Sequence, residues 1–91
     1  MGMMKTITVN FGATPINQQT FTDTDAGLSG LTYAEAFVMR DSTADNNADA
    51  HEQLGSYARL TCSISGTTIT IWTELLYGFV TGQFNLRYVA N

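Results

Sequence analysis

Between Thr67 and Val89 the chain reads TTITIWTELLYGFVTGQFNLRYV. Ile69, Ile71 and Thr73 alternate with Thr68, Thr70, Trp72 and Glu74. Further on, Phe84, Leu86 and Tyr88 alternate with Gln83, Asn85 and Arg87. Period-two alternation in β-branched and aromatic residues marks half-buried strands. The two runs therefore predict a β-hairpin or a corner pair joined by the apolar hinge Leu75-Leu76-Tyr77-Gly78-Phe79-Val80. A hairpin link is normally polar. This one either curls over the end of the core or stands exposed as an interface patch.

The same alternation recurs upstream. In Lys5–Phe11, Ile7, Val9 and Phe11 share one face, and Gly12 with Thr14-Pro15 stops the run. A weaker, polar strand around Thr20-Phe21-Thr22 has the character of an edge. Asp25-Ala26-Gly27 and Ser29-Gly30 carry turn chemistry. Leu31–Met39 fits either helix propensity or strand alternation, and strand is preferred because its neighbours are strands. Ser56–Ile64 predicts a strand with Ala58, Leu60, Cys62 and Ile64 inward, turning at Ser65-Gly66-Thr67 into the first run. The expected fold is all-β: a small two-sheet sandwich or compact barrel of about six strands, one domain over residues 1–91.

One segment breaks the pattern. Asp41–Gly55 (DSTADNNADAHEQLG) is almost without apolar residues and holds Asp41, Asp45, Asp49, Glu52 and the sole histidine, His51. It predicts a long polar connection, with one helical turn capped by Asn47 or Asp49. The acids are oxygen donors of the kind calcium prefers. However, their spacing of four, four and three lacks the every-second-residue pattern and the fixed glycine of calcium loops, so no metal is expected. No second histidine, nucleophile elbow or glycine-rich phosphate cradle is present, and neither catalysis nor a cofactor is expected.

Composition changes the picture in one respect. Hydrophobic residues make up 44% of the chain and charged residues only 13%, about half the usual charged share. A neutral surface suits a subunit packed among neighbours. The plainer alternative is a threonine-rich β domain that is merely neutral outside. The net charge of −4, with Lys5, Arg40, Arg59 and Arg87 scattered, disfavours nucleic acid. The single Cys62 excludes an intrachain disulfide and reads as a buried structural thiol. No stretch reaches the ~20 apolar residues of a membrane span, so no membrane partner is expected. Trp72 falls on the polar face of its strand, where it covers a second sheet, contacts a partner or stacks on a sugar.

Two segments, AFV-x-x-DSTADN-x-x-DAHE (Ala36 to Glu52) and V-T-G-x-F-x-x-R-Y-V (Val80 to Val89), resemble small structural proteins encoded in the virion gene clusters of tailed bacteriophages and prophages. The likeness spans most of the chain. It implies a β-sandwich structural protein of the virion without enzymatic activity, most readily a capsid decoration protein. Such a protein would bind the major capsid protein or neighbouring copies, as a homo-oligomer. A tail-associated receptor- or carbohydrate-binding module, using Trp72 or Tyr77 and the acidic loop, is the alternative. The expected partner contacts are Trp72, Leu75, Leu76, Tyr77 and Phe79, together with the N-terminal arm Met1–Lys5.

Overall fold

Gly66, at a φ of 63°, occupies the first central position of a two-residue turn between Ser65 and Thr68, where a positive φ suits the twist of a hairpin. The turn joins β4 (Ala58–Ser65) to β5 (Thr68–Leu75). The computed structural model describes residues 2–91. The other strands are β1 (Met3–Asn10), β2 (Gln18–Thr24), β3 (Ala34–Phe37) and β6 (Gln83–Ala90). They form two three-stranded antiparallel sheets, ordered β1-β6-β3 and β2-β5-β4. The all-β two-sheet expectation holds, and β2 is an edge strand as its polar sequence suggests.

The long alternating runs are the central strands of opposite sheets, so residues 67–89 form a corner pair and no hairpin. Their apolar faces meet: Ile69, Ile71 and Leu75 from β5 and Phe84, Leu86, Tyr88 and Ala90 from β6 are buried together with Val9, Phe11 and Leu28. Phe11 stands edge-on to Phe21 at 5.0 Å and to Phe84 at 5.7 Å, tying the two sheets through T-shaped ring contacts. Thr73 shares this inward face. Its Oγ1 is buried without a hydrogen-bond partner among the described residues.

Lys5 also points inward, on the same face of β1 as Ile7 and Val9. Its Nζ lies 2.9 Å from Asp23 and 3.0 Å from Asp25 of the opposite sheet's edge. The Tyr88 hydroxyl donates to Asp23 at 2.8 Å. This cluster closes the seam between β1 and β2 where apolar packing runs out. The paired carboxylates, Asp23 first, raise the Lys5 pKa. The Gly27 N–H and then Lys5 hold Asp25 below the usual carboxylate range. Of the expected contact arm, Met1 lies outside the described residues. Met3–Lys5 is strand, and Lys5 is engaged within the chain.

Three sequence expectations are corrected in extent. Leu31–Met39 yields a strand of only four residues, Ala34–Phe37. The polar connection contains a ten-residue helix, α1 (Ala48–Tyr57), far more than one turn. Ser56 and Tyr57 belong to that helix, so β4 begins at Ala58. Asn47 is the N-cap, its side chain accepting from the Ala50 N–H at 2.9 Å. Only His51 and Leu54 of α1 are buried. Spaced three apart, they lie on one helix face. A histidine in that stripe hides it from any search for apolar periodicity.

The short β3 has a structural consequence. It pairs with β6 only as far as Phe37 opposite Arg87, leaving the Gln83–Asn85 edge of β6 without a strand neighbour. Side chains of residues 43–51 take that neighbour's place. Thr43 Oγ1 and Asn46 Nδ2 both donate to the Gln83 carbonyl at 2.8 Å. The Gln83 N–H donates to Asp45 Oδ2 at 2.9 Å, and the Asn85 N–H to His51 Nε2 at 3.0 Å. Asn46 also reaches the Thr81 carbonyl at 3.1 Å. A half-buried strand edge needs these partners where the segment covers it, since a group orphaned on burial costs about 1–3 kcal/mol. The acidic segment is an edge cap on β6.

Candidate interaction surface

The hinge after β5 is held by its backbone. The Leu75 N–H donates to Asn17 and the Leu76 N–H to Tyr57, both at 2.8 Å. Ile16 and Val80 exchange two N–H···O bonds, at 3.1 and 2.9 Å. Between these anchors residues 76–79 loop outward, with Gly78 at a φ of 86° making the bend. Because main-chain bonds fix the loop, its side chains are free of the core. Leu76 is 63%, Tyr77 64% and Phe79 71% exposed. Tyr77 rests on Tyr57 of α1, ring centroids 4.5 Å apart. Beneath them is a groove of about 340 Å³, walled by Leu54, Tyr57, Tyr77, Phe79, Val80 and Phe84. Leu75 turns inward and is core. It supports the ridge from below without being presented to a partner.

Trp72 lies elsewhere, on the outward face of the central strand β5, and is 46% exposed. Its cross-strand neighbours are Thr20 and Thr61. The cavity it borders shares no residue with the groove under the hinge and includes none of the acids of Asp41–Gly55. The structure thus brings Leu76, Tyr77 and Phe79 together, and separates Trp72 from Tyr77 and from the acidic segment.

No protein-family model, curated protein or solved structure matches this chain.

The chemistry-bearing side chains are occupied locally. His51 is fully buried. Its Nδ1 lies 3.0 Å from the Asn47 carbonyl, which can only accept, so Nδ1 carries the proton and Nε2 is free to accept from Asn85. Both ring nitrogens are spent on backbone groups. Asp49 and Glu52 share Arg40, at 3.1 and 3.3 Å. Asp41 caps the Ser42 N–H at 2.8 Å, which with Asn85 holds its carboxyl below the usual range. Among the described residues no three His, Cys, Asp or Glu side chains gather as a metal-binding group. Cys62 is half-buried. Burial first, and the Glu35 carboxylate second, push its thiol pKa up, away from a reactive thiolate. No helix among the described residues is long and apolar enough to cross a membrane.

Sequence reasoning picked out the hinge residues but missed Tyr57, which it placed in a strand. It also missed His51 as a buried strut. The Asn47 cap followed by a His51/Leu54 spacing of three was the signal that could have found α1.

Proposed function

We propose that this chain is a structural protein of a tailed-bacteriophage virion. Its best-supported role is that of a capsid decoration protein, binding the major capsid protein and neighbouring copies of itself, with no catalysis. The observation that carries the reading is the ridge of Leu76, Tyr77 and Phe79, three large apolar side chains held out together by a backbone-anchored loop. The likeness of Ala36–Glu52 and Val80–Val89 to phage virion proteins supplies the context.

Magnitudes favour a repeated weak contact. With Tyr57, the ridge offers on the order of 400 Å² of apolar surface, the size of the largest patch on a typical monomer, which is often functional. At ~25 cal/mol per Å² its burial releases about 10 kcal/mol, against an association cost of about 4–15 kcal/mol. One such contact is near break-even. Many copies on a symmetric lattice add up through effective concentration.

The test is twofold. Quantitative mass spectrometry of purified particles should find this protein at hundreds of copies, on the order expected of a lattice-wide subunit. The double variant Leu76→Ser/Phe79→Ser should fold normally yet fail to bind particles stripped of the protein. Absence from the particle, or undiminished binding by the double variant, would defeat the reading.

A further inference from the structure

We propose that the outer face of the β2-β5-β4 sheet is a binding site for a neutral pyranose sugar, with Trp72 as its stacking platform. The face is built from Gln18, Thr20, Thr61, Arg59 and Glu74 around Trp72, and borders an open depression of about 530 Å³. Trp72 stands on the central strand, flanked by threonines in both neighbouring strands. Those short side chains leave the indole uncovered, although a ring of this size is normally buried. An exposed indole ringed by hydroxyls, an amide and a charged pair presents an apolar plane beside hydrogen-bonding groups. A pyranose ring offers the complement: a flat C–H face for the indole and equatorial hydroxyls for the rim.

The rim has unused capacity. Arg59 and Glu74 pair at 2.6 Å, with their side chains 67% and 49% exposed. One contact satisfies one donor of a guanidinium with five, and one oxygen of the carboxylate. The remaining donors and acceptors lie beside Trp72 and can serve sugar hydroxyls without breaking the pair. Other ligand classes fit less well. Arg59 is the only cation on this face and its charge is cancelled by Glu74, so a phosphate backbone has nothing to hold it. A protein partner would bury one apolar residue beside an Arg59/Glu74 pair, whereas interface cores hold several aromatic residues and are depleted in charged ones.

The site is separate from the Leu76–Phe79 ridge and does not depend on the virion reading. Trp72 is the only tryptophan in the chain, so its emission reports on this site alone. The folded protein would be titrated with methyl β-D-glucopyranoside, methyl β-D-galactopyranoside and methyl α-D-mannopyranoside. Indole emission and amide shifts of Thr20 and Thr61 would be followed together. At least one sugar should give a saturable response with a millimolar Kd. In Trp72→Ala the Thr20 and Thr61 shifts should weaken by about tenfold or more. In Phe79→Ser they should be unchanged. An unaltered amide spectrum away from the face confirms that Trp72→Ala folds. No saturable response to any of the three sugars overturns the proposal. So does a response that survives Trp72→Ala, or glucuronate binding that persists in Trp72→Ala, which would make the face an anion site of Arg59.

Discussion

Replacing His51 separates the hydrogen bond it provides from the space it fills. His51→Leu keeps most of the volume against Phe84, whose ring centroid is 4.9 Å from the imidazole. It removes the acceptor of the Asn85 N–H. An orphaned buried amide costs about 1–3 kcal/mol, and that is the expected loss. His51→Ala adds a cavity worth about 2 kcal/mol, for a total of about 3–5 kcal/mol. A chain of this length has a stability of roughly 5–14 kcal/mol, so the alanine variant should lose a large fraction of it. His51→Gln places a carbonyl near the position of Nε2 and should recover about 1 kcal/mol relative to leucine.

The assay is urea unfolding of the four proteins, with Tm as a second readout at about 4–8 °C per kcal/mol. Amide hydrogen exchange gives the local signature. In His51→Leu the Asn85 amide should lose protection, while Leu86, on the other edge of β6, keeps its own. If His51→Leu matches the parent, the bond contributes nothing. If glutamine is no better than leucine, the capping argument for residues 43–51 fails at its best-defined contact.

Thr73→Val should raise stability by about 1 kcal/mol in the same urea assay, because it removes a buried hydroxyl that has no partner among the described residues. A loss would show that the hydroxyl is satisfied. Gly82→Ala should cost about 2 kcal/mol or more: φ is 81°, and an added Cβ would come within 2.8 Å of Asp45 Cβ in the edge cap. Gly78→Ala, at a similar φ but in open space, should cost only about 1 kcal/mol, and equal losses would refute the close-approach argument. Stability should fall at both extremes of pH. Asp25, depressed below its ordinary 3.8, stabilises above that value and loses this as pH falls through its folded pKa. Lys5 and Tyr88, raised from 10.5 and 10.0, stabilise below those values and lose this as pH rises towards their folded pKa values. The Tyr88 shift comes from burial first and Asp23 second. Urea midpoints that stay constant above pH 10.5 would contradict the closed β1/β2 seam.

The fold was legible where apolar and polar residues alternate strictly. Ile69/Ile71 and Phe84/Leu86/Tyr88 declared their faces because both central strands bury one side completely. The alternation could not say whether the two runs pair, because period two is a property of each strand alone. The hinge decides that: residues 76–79 swing outward to carry the chain from one sheet to the other, where a tight turn would have paired them. Lys5 was read as one of four scattered cations and as part of a contact arm, though it and Asp23 both sit at inward positions of their strands. Their mutual compensation across sheets has no one-dimensional signature. The helix α1 was invisible for a related reason. Its buried stripe is a histidine and a leucine, and the histidine is inside because a strand edge supplies its partner 34 residues away.

That partnership also bears on the resemblance expected from the sequence, which no comparison supports. The two segments on which it rests, Ala36–Glu52 and Val80–Val89, are the two sides of one hydrogen-bonded unit. Thr43, Asp45, Asn46 and His51 lie on one side, and Thr81, Gln83 and Asn85 on the other. Gly82 lies between them because any side chain there would strike Asp45. Edge capping alone accounts for these residue types at these positions. These segments therefore speak to how the sandwich is built, and a partner surface must be sought where construction makes no demand. Leu76, Tyr77 and Phe79 are such positions, since their loop is fixed by main-chain bonds and the core closes beneath them at Leu75. Trp72 is another: it stands on the outward face of β5, with only Thr20 and Thr61 opposite it on either side. Large apolar side chains at sites the fold leaves free are the residues that require an explanation outside the molecule.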